Sequence, residues 1–224
     1  MIICIISLFV FACNVSAQEC EPTTTWPYVY EDFTAGKIQP YKGSAVSGQY
    51  NVHVLHGRLH FIDGQFIKEA NSMEVFSVQI GNDYYANVGG RMMKVLAKGD
   101  NSFVAMAQEV DMVQLNATGG AYGSSSSTLA TTSLSSLENI GGGSVTNHME
   151  LKRSKEDGRT LPIISKTYIV FGGMIVFATK KDVMDLDGLD KKELATFLKE
   201  KKIKWKDPQS LLVVGEYLSA KLSR

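Results

Sequence analysis

Cysteine is scarce in this chain. Of 224 residues only Cys4, Cys13 and Cys20 are cysteine, and the first two fall in an apolar N-terminal run. Removal of that run leaves Cys20 alone, which excludes an internal disulfide. The fold therefore has to stand on the burial of apolar side chains. A surplus of charge is also lacking, since Lys+Arg and Asp+Glu both number 23. A neutral chain has no broad field to gather a polyanion, so nucleic acid is not an expected partner. No later apolar run approaches the ~20 residues that a membrane-spanning helix needs, so no transmembrane span is expected.

The common catalytic signatures are missing as well. There is no Gly-x-Ser-x-Gly, no His-Glu-x-x-His and no Cys-x-x-Cys. Neither phosphate-cradling glycine motif is present. Asp185-Leu186-Asp187-Gly188 suggests part of a calcium loop, but its first and twelfth ligand positions hold Val183 and Leu194, which cannot ligate. Histidine numbers four, and three of these, His53, His56 and His60, crowd one short stretch. A non-catalytic protein is expected, with a hydrolase of no recognisable motif as an alternative.

What is present begins with an address. Residues 1–17 have the form of an export signal: an apolar run from Ile2 to Ala12, then Val15-Ser16-Ala17, small residues at which a signal peptidase cuts to release Gln18. No Lys or Arg follows Met1, which departs from the usual pattern. The expected location is the periplasm or the cell surface, with lipid anchoring at Cys13 as the alternative.

The middle of the chain, residues 18–116, alternates apolar and polar residues between Gly/Asn/Asp turns, the pattern of β-hairpins. Tyr50 to Asp63 is the clearest case. A two-residue turn at His56-Gly57 would set Val54 opposite Leu59, His53 opposite His60 and Val52 opposite Phe61. Tyr50, Val52, Val54, Leu59 and Phe61 would then face the core. His53 and His60 would form a direct cross-strand pair with Cβ atoms about 5 Å apart, close enough to share Zn²⁺ or Cu²⁺. Further hairpins are expected around Gly81-Asn82-Asp83 and Gly99-Asp100-Asn101, and a short edge strand at Gly36 to Tyr41, where Pro40 lacks a ladder donor. The aromatic cluster Trp26, Tyr28, Tyr30 and Phe33 is a candidate binding surface for a glycan; the other reading is that it seals the core.

Residues 117–147 are dominated by Ser, Thr and Gly, a flexible composition. Residues 148–224 complete one composite domain with the earlier hairpins. A hairpin about Gly172-Gly173 pairs Tyr168 with Phe177 and Val170 with Ile175. Helical periodicity follows: Asp190 and Glu193 resemble a capping box, and Asp207-Pro208 opens a second amphipathic helix. The fold class is α+β: an antiparallel hairpin meander, as an open sheet or partly closed barrel, with two C-terminal amphipathic helices.

Two stretches, A-T-G-G-A-Y-G from Ala117 and the lysine-rich ending K-K-E-L-A-T-F-L-K-E-K-K-I-K-W-K-D-P-Q-S-L-L-V-V-G-E-Y-L, resemble uncharacterised secreted envelope proteins of Bacteroidota. That resemblance implies an envelope address and carries no activity. The expected function is a non-catalytic binding or structural module of the cell envelope, with an envelope protein or glycan as partner. Metal binding at His53 and His60 is the alternative.

Overall fold

The structure, a computed structural model, describes residues 23–24, 27–111 and 161–222. The export signal, Cys20, Trp26 and the Ser/Gly-rich segment lie outside the described residues. Eleven strands form one antiparallel sheet: β1 (Thr23–Thr24), β2 (Thr34–Pro40), β3 (Val46–His53), β4 (Arg58–Asp63), β5 (Phe66–Glu69), β6 (Val75–Ile80), β7 (Asp83–Val88), β8 (Arg91–Lys98), β9 (Ser102–Val110), β10 (Leu161–Phe171) and β11 (Met174–Phe177). Three helices follow, α1 (Lys180–Met184), α2 (Lys191–Glu200) and α3 (Pro208–Leu222). The class is α+β.

Strands β6 to β10 lie in chain order, and so do β2 to β5, but the two runs join through β2 and β6. The stretch expected as an edge strand is therefore interior. Proline survives there because Pro40 sits at the end of β2, where the register against β6 shifts between Gln39 and Pro40. A missing donor costs little at such an irregularity. The path ends at β5, so the sheet is open. It coils enough for Tyr50, Val52 and Leu59 of β3 and β4 to share a core with Val78, Ile80, Tyr85 and Met92 of β6 to β8.

The other core lies between sheet and helices. Val104, Ile169 and Phe171 meet Val183, Leu194, Leu198, Leu211, Val214 and Leu218. Local signals set these helices. Asp190 caps α2 by accepting from Lys192 N (2.7 Å) and Glu193 N (3.1 Å), and Asp207 accepts from Gln209 N at the start of α3 (3.1 Å). Phe197 stacks on Tyr217 at 4.0 Å between ring centres, and Lys221 pairs with Glu193, so α2 and α3 run antiparallel. Gly215 brings α3 against the sheet: a Cβ there would stand 2.7 Å from Ser102 Oγ and 3.0 Å from Ile169 Cγ2.

The pairing of β10 with β11 is as expected, Tyr168 with Phe177 and Val170 with Ile175. The central hairpin is not. Its pairs are Tyr50 with Phe61, Asn51 with His60, Val52 with Leu59 and His53 with Arg58. The turn therefore spans Val54 to Gly57, four residues rather than two. A two-residue slip leaves each side chain on its expected face, but His53 no longer stands directly opposite His60. A further hairpin, β4 to β5 around Gly64-Gln65, extends the sheet beyond the expected end at Asp63.

Candidate functional site

The face carrying the histidines is covered. Residues before β2 run along β3: Val29 N donates to Val52 O (2.9 Å), Val54 N donates to Pro27 O (2.9 Å), and Tyr28 bridges to His53. Asn51, fully buried, clamps this segment. Its Oδ1 accepts from Tyr30 N (3.1 Å), and its Nδ2 donates to Tyr30 O (2.9 Å) and Asp32 O (3.2 Å). A buried amide this fully paired fixes chain position without a desolvation penalty.

Of the candidate binding surface Trp26, Tyr28 and Tyr30, the first lies outside the described residues and the other two lie in this covering segment. Tyr28 is 0% exposed and packs edge-on against Phe33, His53 and His60, so it belongs to the core. Burial pushes its phenol well above the ordinary tyrosine value. Tyr30 is half-buried, donates to Asp83 Oδ2 (2.6 Å) and meets Tyr85 Oη at 2.8 Å. Burial pushes the Tyr85 phenol up to about 12. Burial works against the Asp83 carboxylate, yet the bonds from Lys94 and Tyr30 outweigh it and hold Asp83 below its usual value.

His53 and His60 do come together, as a stack. Their ring centres are 5.0 Å apart with planes 26° from parallel, and His56 stacks on His53 at 6.4 Å. Imidazole lone pairs lie in the ring plane, so nearly parallel stacked rings do not converge on one ion. His60 Nδ1 bonds Tyr28 Oη (2.9 Å) and its Nε2 faces Glu69 Oε2 at 3.5 Å. Among the described residues no group of three His, Cys, Asp or Glu is disposed to hold a metal. This geometry opposes the shared Zn²⁺ or Cu²⁺ expected from a direct cross-strand pair.

The stack ends at a cleft. His56 lines an opening of about 480 Å³ together with Leu55, Arg58, Gly89, Arg91, Glu109 and Val110. Two turns build it. The β3–β4 turn and the β7–β8 turn are clasped by Met92 N donating to Gly57 O (2.7 Å) and Arg58 Nη1 donating to Gly90 O (2.9 Å). Each arginine rests on the other turn's glycine. A Cβ on Gly57 would lie 3.3 Å from Arg91 Nε, and one on Gly90 would lie 3.2 Å from Arg58 Nη1. Both glycines have positive φ, +63° and +84°, which other residues rarely adopt.

Glu109 anchors the far wall, with Arg91 Nη2 at 2.7 Å and Lys166 Nζ at 2.6 Å. Burial pushes its carboxyl up, but Lys166 and Arg91 prevail and hold it below the ordinary glutamate value. Lys166 is raised in return by Glu109. Arg91 Nε and His56 Nε2 are both buried and have no hydrogen-bond partner among the described residues. The sequence reading missed Arg58, Arg91, Glu109 and Lys166. The signal that could have found the arginines is a repeated turn dipeptide, Gly57-Arg58 and Gly90-Arg91.

A coiled antiparallel sheet with a basic cleft at the meeting of two turns defines the class of structure. No protein-family model, curated protein or solved structure matches the chain.

Proposed function

We propose that this chain is an exported, non-catalytic binding module of the cell envelope and that the cleft between the β3–β4 and β7–β8 turns is its ligand site. The observation that carries this reading is the clasped pair of turns: two arginines, each seated on the opposite glycine, converge with His56 and Glu109 on one opening. Its volume lies within the roughly 300–1,000 Å³ usual for a small-ligand site, and its lining is more polar than most, which suits a charged ligand. Residues 1–17 supply the envelope address, and the resemblance to secreted Bacteroidota proteins supports it.

Expression of the full chain in a Gram-negative host, with N-terminal sequencing and a thermal-shift panel of envelope saccharides, tests this reading. The expected product begins at Gln18, or at lipid-modified Cys13, and a panel member raises the melting temperature without being consumed. An unprocessed protein in the cytosol, or turnover of a panel saccharide, would overturn it.

A further inference from the structure

We infer that the cleft takes the oxyanion of a small sugar acid or sugar phosphate, held by Arg91, Arg58 and His56. This rests on the cleft being the ligand site of a binding module. The charge favours it. Arg58, Arg91 and the adjoining Lys166 face a single carboxylate, Glu109, which both Arg91 and Lys166 already partner. The surplus is positive, whereas the whole chain is neutral.

The donors are in place. A guanidinium carries five N–H groups in a planar fork that matches carboxylate and phosphate oxygens. Arg58 uses Nη1 on Gly90 O, and Arg91 uses Nη2 on Glu109, so each side chain is fixed at one nitrogen and carries further N–H groups. Arg91 Nε is buried without a partner among the described residues, and so is His56 Nε2. A buried polar atom left unpaired is destabilising, so a ligand oxygen that pairs with either one gains a hydrogen bond there. The Arg91 side chain is 34% exposed, so part of it faces the opening while Nη2 stays on Glu109.

Size selects the ligand class. An opening of about 480 Å³ exceeds what a lone phosphate fills and lies within the usual range of small-ligand sites, with room for a sugar ring beside the anionic group. Leu55 and Val110 supply apolar wall against which a ring can rest, while the arginines fix its anionic end. Pre-seating on the turn glycines lowers the ordering cost of binding.

Calorimetric titration of the processed protein with D-glucuronate, glucose 6-phosphate, inorganic phosphate and neutral D-glucose decides the matter. Glucuronate or glucose 6-phosphate should bind saturably, D-glucose should not, and inorganic phosphate should bind more weakly than the sugar phosphate. Arg91→Lys keeps the charge beside Glu109 but removes the planar fork, and should weaken binding about tenfold in a variant whose circular dichroism shows it folded. Arg58→Lys provides a second variant should Arg91→Lys fold poorly. D-glucose binding as tightly as glucuronate, or affinity unaltered in both lysine variants, would overturn the oxyanion assignment and leave the binding-module reading standing. No binding of any of the four, beside a positive thermal-shift hit, would do the same. No binding of any kind, including the panel, would sink both.

Discussion

Replacing Gly215 with alanine sets two effects of similar size against each other. Gly215 lies in the middle of α3, where alanine would normally gain about 1 kcal/mol from helix propensity. In this position the new methyl would stand 2.7 Å from Ser102 Oγ, 2.9 Å from Ser102 Cβ and 3.0 Å from Ile169 Cγ2. Ser102 Cβ is fixed by the backbone of β9, and Ile169 of β10, β-branched and fully buried, has little freedom to turn its Cγ2 away. Forcing a methylene into such packing costs about 1–3 kcal/mol, so the clash wins and the net loss is about 1 kcal/mol. For a domain of this size that lowers the melting temperature by about 2–4 °C. Exposed Ala220, near the end of the same helix, gives the comparison: Ala220→Gly should lose about 1 kcal/mol through propensity alone. Ser102→Gly removes the nearest obstructing atoms, so the cost of Gly215→Ala should largely vanish in that background, a coupling of about 1 kcal/mol or more in a double-mutant cycle. A rise in melting temperature for Gly215→Ala alone would refute the close approach of α3 to the sheet.

Leu194→Ala deletes a fully buried side chain from the helix-to-sheet core and should cost about 2–5 kcal/mol, seen as a lower urea midpoint with an unchanged slope. Glu109→Gln should lower the urea midpoint at pH 7 by stripping the counter-charge from Arg91 and Lys166. Because the folded Glu109 value is depressed, its contribution is fully present above the ordinary value of 4.5 and fades as pH falls through the lower folded value, so wild type and variant should converge in acid. Tyr30→Phe removes the bond to Asp83 and should raise the Asp83 titration midpoint in a carboxyl NMR titration, with a stability loss of about 1–3 kcal/mol.

The near-neighbour patterns were legible in the chain. Gly172-Gly173 set the β10–β11 register, and Asp190 and Asp207 each marked a helix start, because a turn or a cap is decided by residues a few positions apart. The central hairpin was legible in its faces but not its register. Alternation is indifferent to a slip of two; the four-residue turn is closed by Gly57 N on His53 O (2.8 Å) and tied to the β7–β8 turn by Met92 N on Gly57 O, a bond the local sequence cannot announce.

Alternation and capping by themselves determined that this chain makes hairpins followed by amphipathic helices, since the period of apolar residues is a property of neighbours in sequence. Only the tertiary structure decided that β2 lies inside the sheet, that Tyr28 covers the histidines, and that Arg58 and Arg91 meet Glu109 across one cleft. Arg58 and Glu109 stand far apart in the chain. What brings them to one cleft is the coiling of the sheet, which depends on how its two faces bury their apolar area together.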